Sequence, residues 1–420
     1  MATLGTSVES IRGHAERPRR VLILVENLPV PFDRRVWQEA TTLRNAGFTV
    51  SVVCPTGKGH ERRFETIDGI DIYRYRLYEA ASVAGYAIEY PVALACTFAL
   101  ALWVCCRKGF DVIHACNPPD LFFLIGAFFK LFGKKFLFDH HDINPELYAA
   151  KFGARGFWHW LLLKLEYWTF RTADVSIATN ESYRRIARRR GGMPHDRVFV
   201  VRSGPSLERM RMLAPRDSLK RGRRYLVGYV GVMGAQEGID YLLRAVRHVV
   251  FHLGRRDIQF GLVGGGTSLA QMQALAINLD VSQFVTFTGR VADDDLLAML
   301  NTADICVNPD VANELNDLST MNKVMEYMAL GKPIVQFDLT EARYSAQDAA
   351  VYARRNDATD LAVKMVELLD DPAHRAAMGA RGRRRILEEL EWRHEAPKLL
   401  AAYRALWPTS EAAQHEASTT

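Results

Sequence analysis

Cysteine is scarce in this chain and shows no paired short spacing of the metal-binding kind. Six thiols in 420 residues stand at positions 54, 96, 105, 106, 116 and 306. None falls into the spacing of a zinc ribbon, and a chain of this length needs no disulfide staples. Reduced thiols in a cytosolic protein are the expectation. Long apolar runs are missing too. The longest, Pro91–Cys106, stops short of the roughly 17–25 residues that span a bilayer, so a buried or interfacial helix is expected there. Val21–Val25 is too short for the apolar core of a signal peptide. Charge of one sign is in small excess: 54 Lys and Arg against 48 Asp and Glu leave +6. That argues against a dedicated nucleic-acid binder and leaves room for a local basic patch.

What is present is an ordinary globular mixture, 49% hydrophobic and 24% charged. The length suggests about two or three domains. Strand and helix signals alternate from Val21 to Phe337, which predicts doubly wound parallel sheets with helices on both faces. The first half reads as strands at 21–25, 49–54, 70–75, 112–115, 135–139, 175–178 and 198–201, with helices at 34–45, 87–107, 121–132 and 157–172. After a Pro- and Arg-rich stretch, 204–224, the rhythm restarts. Strands then fall at 226–230, 260–263, 285–288, 305–308 and 333–337, and helices at 239–253, 269–279, 294–301 and 322–330. The expected organisation is a tail over 1–19, a Rossmann-like domain over 20–205 and a second over 206–390. A helix over 391–407 returns to the first domain, and 408–420 form a tail.

Several stretches could carry chemistry. Val263-Gly264-Gly265-Gly266-Thr267 ends a strand and precedes a helix, where glycine admits a close backbone approach and the helix start favours an anion. It is not the full G-x-G-x-x-G fingerprint, and a tight turn explains it equally well. In the polar loop 316–322, Ser319, Thr320 and Asn322 can cap the helix that follows. On that helix Lys323 and Glu326 share a face, so a cation for a diphosphate precedes a carboxylate for sugar hydroxyls. A surface ion pair is the plainer reading. Asp139-His140-His141-Asp142 follows a strand, where histidine could act as acid, base or hydrogen-bond donor; neither His140 nor His141 has a His-x3-His partner for a metal. Asp293-Asp294-Asp295 has the Asp-x-Asp form of some metal sites, but first-turn acids explain it. The stretches 121–130 and 158–164, rich in Phe and Trp, and Arg184–Arg190 would suit an anionic membrane surface, or else a core and a solvated face.

Taken together, these segments resemble glycosyltransferase family 4, retaining sugar-nucleotide transferases of the GT-B fold. The resemblance rests on Phe32-Asp33-Arg34-Arg35-Val36 with Glu39-Ala40, on Asp111-Val112-Ile113-His114-Ala115-Cys116-Asn117-Pro118 and on His140-His141-Asp142. It continues through Val201-Arg202-Ser203-Gly204-Pro205, Glu237-Gly238-Ile239-Asp240, Val263–Gly266, Phe287-Thr288-Gly289-Arg290, Asn308-Pro309 and the Lys323–Gly331 helix. It implies two Rossmann-like domains facing a cleft, a C-terminal helix crossing back, and transfer of a sugar from a nucleotide diphosphate sugar to a hydroxyl. The setting it implies is polysaccharide or lipid-linked glycan assembly, with a glycan or lipid-linked acceptor.

It also implies roles. Glu326 would bind the ribose. The amides of Ser319, Thr320, Met321 and Asn322 would hold the diphosphate, and Gly264 and Gly266 would pass near the nucleotide. Arg290 and Val291 would hold the base, and His141 would contact the transferred sugar. Asp33, Arg34 and Arg35 lie on the acceptor side. The family's first glutamate is replaced by Leu318, and its two donor-loop cations by Val232 and Glu237. Charge balance then nominates Lys323, with Arg202 or Arg290, for the diphosphate. No metal and no other cofactor is expected, nor nucleic acid. The expected location is cytoplasmic, peripheral on the inner face of the plasma membrane. A sugar-nucleotide isomerase or epimerase on the same fold, or a non-catalytic nucleotide-sugar-binding scaffold, are the alternatives.

Overall fold

The computed structural model describes residues 17–77, 83–153 and 155–407. The tails expected at 1–19 and 408–420 therefore lie outside the described residues, apart from 17–19. The first run of elements is β1 (Arg20–Leu24), α1 (Arg34–Asn45), β2 (Thr49–Pro55), β3 (Phe64–Ile67), β4 (Ile70–Tyr75), α2 (Val83–Arg107), β5 (Val112–Cys116), α3 (Phe123–Lys130), β6 (Lys135–His140), α4 (Asn144–Phe152), α5 (Phe157–Thr172), β7 (Val175–Ala178), α6 (Glu181–Arg189) and β8 (Val198–Val200). These strands form a sheet in the order β3-β4-β2-β1-β5-β6-β7-β8. Only the edge hairpin β3–β4 is antiparallel among the pairs with a known register.

The second run is β9 (Tyr225–Val230), α7 (Ile239–Phe251), β10 (Ile258–Val263), α8 (Leu269–Asn278), β11 (Val285–Gly289), α9 (Asp293–Thr302), β12 (Ile305–Asn308), α10 (Glu314–Leu318), α11 (Asn322–Ala329), β13 (Ile334–Phe337), α12 (Thr340–Ala346), β14 (Ala350–Ala353), α13 (Ala358–Asp370), α14 (Pro372–Arg385) and α15 (Trp392–Ala405). Its sheet is wholly parallel, in the order β11-β10-β9-β12-β13-β14. That is the doubly wound order, with its reversal between β9 and β12. By packing, the chain divides into two compact units, one of residues up to 139 with 172–174, the other of 140–171 with the chain from 175 onward.

The predicted alternation is the observed one, and α1, β4, α5, β7 and β12 have the expected bounds. Elements not foreseen are β3, α4, α6, α10, α12, β14 and α13. Most are short or polar, so an apolar period has little room to show. α6 and α13 also start at side-chain caps, Asn180 accepting from the Tyr183 amide and Asp357 from those of Thr359 and Asp360, and α13 buries Leu361, Met365 and Leu368 at helical spacing. Such a cap contributes about 1 kcal/mol. Interior strands are buried on both sides, as in β10, where all six residues are buried, whereas the edge strand β3 has none. Helices approach closely where side chains are small: a Cβ on Gly126 of α3 would overlap the ring of Phe136 on β6. The C-terminal helix α15 packs on β7 and β8 of the first sheet, where the Arg197 guanidinium donates to the Ala405 carbonyl at 2.7 Å.

The apolar run from Pro91 departs from expectation. It forms most of a 25-residue helix, α2. Over Glu89–Arg107 this helix is long and apolar enough to cross a membrane by length and composition, and only 28% of its most apolar stretch is buried.

Candidate active site

Ligands of open α/β sheets sit beyond the carboxyl ends of strands, at the point where strand order reverses. In the second sheet that point lies between β9 and β12. The loops leaving β9 and β10 pack backbone to backbone there. The Gly231 amide donates to the Val263 carbonyl at 3.1 Å, and the Met233 amide to that of Gly265 at 3.0 Å. A Cβ on Gly264, whose φ is +135°, would overlap the Gly231 carbonyl oxygen, and one on Gly266 the Met233 backbone. These two glycines are thus required by loop-on-loop packing, whatever a ligand adds. Arg290 is exposed beyond β11, and Val291 packs against the core beneath.

The loop 319–321 enters α11 without a side-chain cap. The expectation that Ser319, Thr320 or Asn322 would cap it is corrected: Met321 is the N-cap residue and offers no oxygen. The reason is that the two hydroxyls have other partners. Ser319 Oγ bonds the Leu315 carbonyl at 2.7 Å and the Tyr183 hydroxyl at 2.9 Å. Thr320 Oγ1 accepts from Asn180 Nδ2 at 3.1 Å and Arg202 Nη1 at 3.4 Å. An uncapped helix start leaves first-turn amides pointing outward, with the positive end of the helix dipole behind them.

Lys323 and Glu326 share α11 but have different partners. Lys323 Nζ lies 2.5 Å from Glu237 and 2.8 Å from Asp310, over the ring of Tyr229. Glu237 occupies the position where a donor-loop cation was expected, and it pairs with Lys323. Burial by itself would lower the Lys323 ammonium, but Asp310 and the groups around it reverse this and hold it well above its ordinary value. Burial pushes Asp310 up to about 7, against the pull of Lys323. One largely buried cation faces two acids, so its charge is matched within the protein. Glu326 accepts from Arg209 Nη1 at 2.8 Å, and Arg209 also reaches Asp293 at 2.8 Å. Glu326 is less buried than Asp310, its side chain being 17% exposed.

Arg202 is close to the loop it was assigned to. Its guanidinium stacks over Tyr344 at 4.0 Å and lies 3.6 Å from Glu341, which accepts from Ser182 at 2.6 Å. Its Nη2 is buried with no hydrogen-bond partner among the described residues. A polar group so placed favours a ligand that accepts from it. The aspartates 293–295 start α9 and each meets an arginine: Arg209, Arg211 and Arg216. First-turn acids account for them.

The first sheet reverses order between β1 and β5. Asp33 caps α1, accepting from the Val36 amide at 3.1 Å, and Arg34 is exposed. Arg35 points inward, forking onto Asp139 at 2.8 and 3.3 Å with Glu39 at 3.1 Å. His114 lies 3.4 Å from Asp139 and 3.5 Å from Glu39. Glu39, Cys116 and Asp139 bring their ligand atoms within 4.8 Å of one another, but Arg35 already supplies a cation to both carboxylates. His140 is a core histidine, 3.6 Å from Glu166 with its ring against Phe170 and Tyr183. His141, next in line, is half-buried in the loop before α4.

Two residues past β1, Glu26 is 3% exposed and its Oε1 has no hydrogen-bond partner among the described residues. Burial, with Glu89 nearby, pushes its carboxyl from 4.5 up to about 7. A carboxyl raised on folding binds its proton more tightly in the native state. Its stabilising share is therefore complete below pH 4.5 and is lost as pH rises through about 7. The difference corresponds to about 3 kcal/mol. Glu26→Gln should remove that slope, so calorimetry across this window should show wild type losing ground to the variant as pH rises.

Reasoning from sequence missed Arg209, Asp310 and the Asn180, Ser182, Tyr183 and Glu341 set that braces the loop. Asp310 had a visible signal, directly following Asn308-Pro309 at a strand's carboxyl end. Arg209 had none, since it lies in a stretch without strand or helix.

Comparison with known proteins agrees with this fold. Residues 33–209 match the model for glycosyltransferase family 4, and residues 224–371 that for glycosyl transferases group 1. A GDP-mannose-dependent monoacylated alpha-(1-6)-phosphatidylinositol monomannoside mannosyltransferase of Corynebacterium glutamicum is 33% identical over 37% of this chain and 41% of its own length. A 2-deoxystreptamine glucosyltransferase of Streptomyces kanamyceticus is 24% identical over 58% of this chain and 64% of its own. The chain thus aligns with about half the length of the curated relatives it matches. Among solved structures, sucrose-phosphate synthase from Thermosynechococcus elongatus superposes with a TM-score of 0.74 over 93% of this chain and 99% of that one, at 18% identity. A glycosyltransferase involved in lipopolysaccharide biosynthesis superposes at 0.68 over 93% and 100%, at 15% identity. With matched stretches that run from 33 to 371 and leave out only 210–223, and with a GT-B architecture, the chain belongs to glycosyltransferase family 4.

Proposed function

We propose that this protein is a retaining glycosyltransferase that moves a sugar from a nucleotide diphosphate sugar to a hydroxyl of a glycan or lipid-linked acceptor. The observation that carries this reading is the uncapped start of α11 at the strand-order reversal, with Glu326 one turn inside it. Cleaving the anomeric bond builds negative charge on the diphosphate. Fixed donors aimed at that charge contribute about 3 kcal/mol each. The first-turn amides of α11, the helix dipole and Arg202 Nη2 are such donors, and they supply this stabilisation with no metal. Lys323, nominated for the same task, acts through Glu237 and Asp310 to set the loop. Glu326 binds the ribose, and Arg209 holds its carboxylate in place. Arg290 and Val291 border the base, and His141 meets the sugar. The acceptor side is Asp33 and Arg34, with Arg35 as their buried anchor. The departing diphosphate assists the acceptor on the same face.

GDP-mannose is the first donor to test, since relatives in Corynebacterium glutamicum and Mycolicibacterium smegmatis are named for it. A donor present at a hundred times its dissociation constant stabilises the fold by about 2.7 kcal/mol. A thermal shift of several degrees with GDP-mannose or a UDP-sugar should therefore appear before any acceptor is added. With an acceptor supplied, NMR of the product should show the donor's anomeric configuration kept. An inverted centre overturns the retaining reading, and conversion of donor without acceptor favours an isomerase. The workplace we propose is the cytoplasmic face of a membrane. Exposed Phe157, Trp158 and Trp160 on α5, with Lys164 beside Trp160, support it.

A further inference from the structure

We propose that His248 and His252, one turn apart at the end of α7, chelate a divalent transition metal such as zinc. The site stands apart from the reading above, and no step of sugar transfer passes through it.

Imidazoles at i and i+4 of a helix lie on one face and can reach one ion together. Of the twelve histidines in the chain, 248 and 252 are the only two with that spacing. Spacing alone does not make a site, since such a pair can simply be solvated. The arrangement of the rings is the further observation. Their centroids are 4.7 Å apart and their planes differ by 8°, so both imidazoles project side by side. His248 is half-buried and His252 is exposed. The pair is thus anchored on one side and open to solvent on the other.

The backbone beneath is fixed before any ion arrives. The amides of His252 and Leu253 both donate to the His248 carbonyl at 3.0 Å, and the Arg255 amide donates to the Val249 carbonyl at 3.0 Å. Gly254, with φ of +69°, turns the chain out of the helix. Ligands already ordered lose less freedom on binding.

The charged groups that act on His248 are His252 on its own helix and Asp357 at the start of α13. Asp357 is itself held in place. Its Oδ1 accepts from the amides of Thr359 and Asp360 at 2.9 Å, and its Oδ2 meets Arg354 at 2.9 Å. A carboxylate beside a ligating histidine favours the bound cation. Two imidazoles select zinc, copper or nickel over magnesium and calcium, which take oxygen ligands. Water completes the coordination, so the ion exchanges freely. α7 starts directly after the loop that holds Glu237, and its 13 residues place its far end about 20 Å away. The role that suits such an ion is a clip on the last turn of α7.

The test is isothermal titration of the full chain, carrying no polyhistidine tag, with zinc chloride. One equivalent should bind, and EDTA should remove it. The thermal midpoint should rise with zinc and fall back with EDTA. His252→Ala should weaken binding about 100-fold, because a single imidazole loses the chelate. An unchanged midpoint of that variant in EDTA shows that it is folded. With copper(II) in place of zinc, electron paramagnetic resonance should show two imidazole nitrogens in wild type and one in the variant. No zinc uptake by wild type, equal uptake by the variant, or displacement of zinc by equimolar magnesium overturns the proposal.

Discussion

Lys323→Met should cost about 3–5 kcal/mol of stability, because it leaves Glu237 and Asp310 facing one another in a pocket with no cation. Asp310 is 1% exposed and shares the ammonium with Glu237, whose side chain is 17% exposed, so the charge left on Asp310 is the one that cannot turn to water. Urea unfolding monitored by tryptophan fluorescence measures the loss. The triple change that adds Glu237→Gln and Asp310→Asn should recover most of it, since the cost comes from stranded charge and not from lost contact area. If Lys323 instead faced a bound diphosphate as its main partner, the methionine variant would keep its stability and lose donor affinity. The two outcomes separate cleanly, because stability is read without ligand.

Glu326→Gln should do the reverse. Arg209 retains Asp293 at 2.8 Å, so the fold loses little. Hydrogen bonds from hydroxyls to a charged carboxylate contribute about 1.5–3 kcal/mol. Steady-state kinetics should therefore show kcat/KM falling about 10- to 100-fold, with the thermal midpoint moved by only a degree or two. A variant as active as wild type would remove Glu326 from the ribose. Side by side, the two variants assign neighbouring residues of one helix to opposite tasks.

Much of this was legible in the sequence because the alternation of apolar strands and amphipathic helices is itself a fold signal. β4 and α5 show their bounds in periodicity alone, and the helix 322–329 shows its stop in Gly331. What periodicity does not carry is the partner of a charge. Lys323 and Glu326 have the same spacing as any surface pair. Nothing local says that Asp310 waits for one and Arg209 for the other, thirteen and more than a hundred residues away. Hydroxyls misled for the same reason: Ser319 and Thr320 have capping chemistry, but Tyr183, Asn180 and Arg202 reach them from far along the chain. Arg35 belonged to a recognisable motif, yet its charge is met by Asp139 and Glu39.

The close packing of Gly231 against Gly264, and of Met233 against Gly266, has an entropic consequence. Two loops that share backbone hydrogen bonds are ordered once, when the protein folds, and a ligand that lands on them meets a single preformed surface. The conformational freedom usually lost on closing a binding loop, about 1–2 kcal/mol per residue, is then absent from the binding step. Donor association should accordingly be limited by diffusional encounter and not by loop ordering, leaving any slow step to the acceptor or to product release.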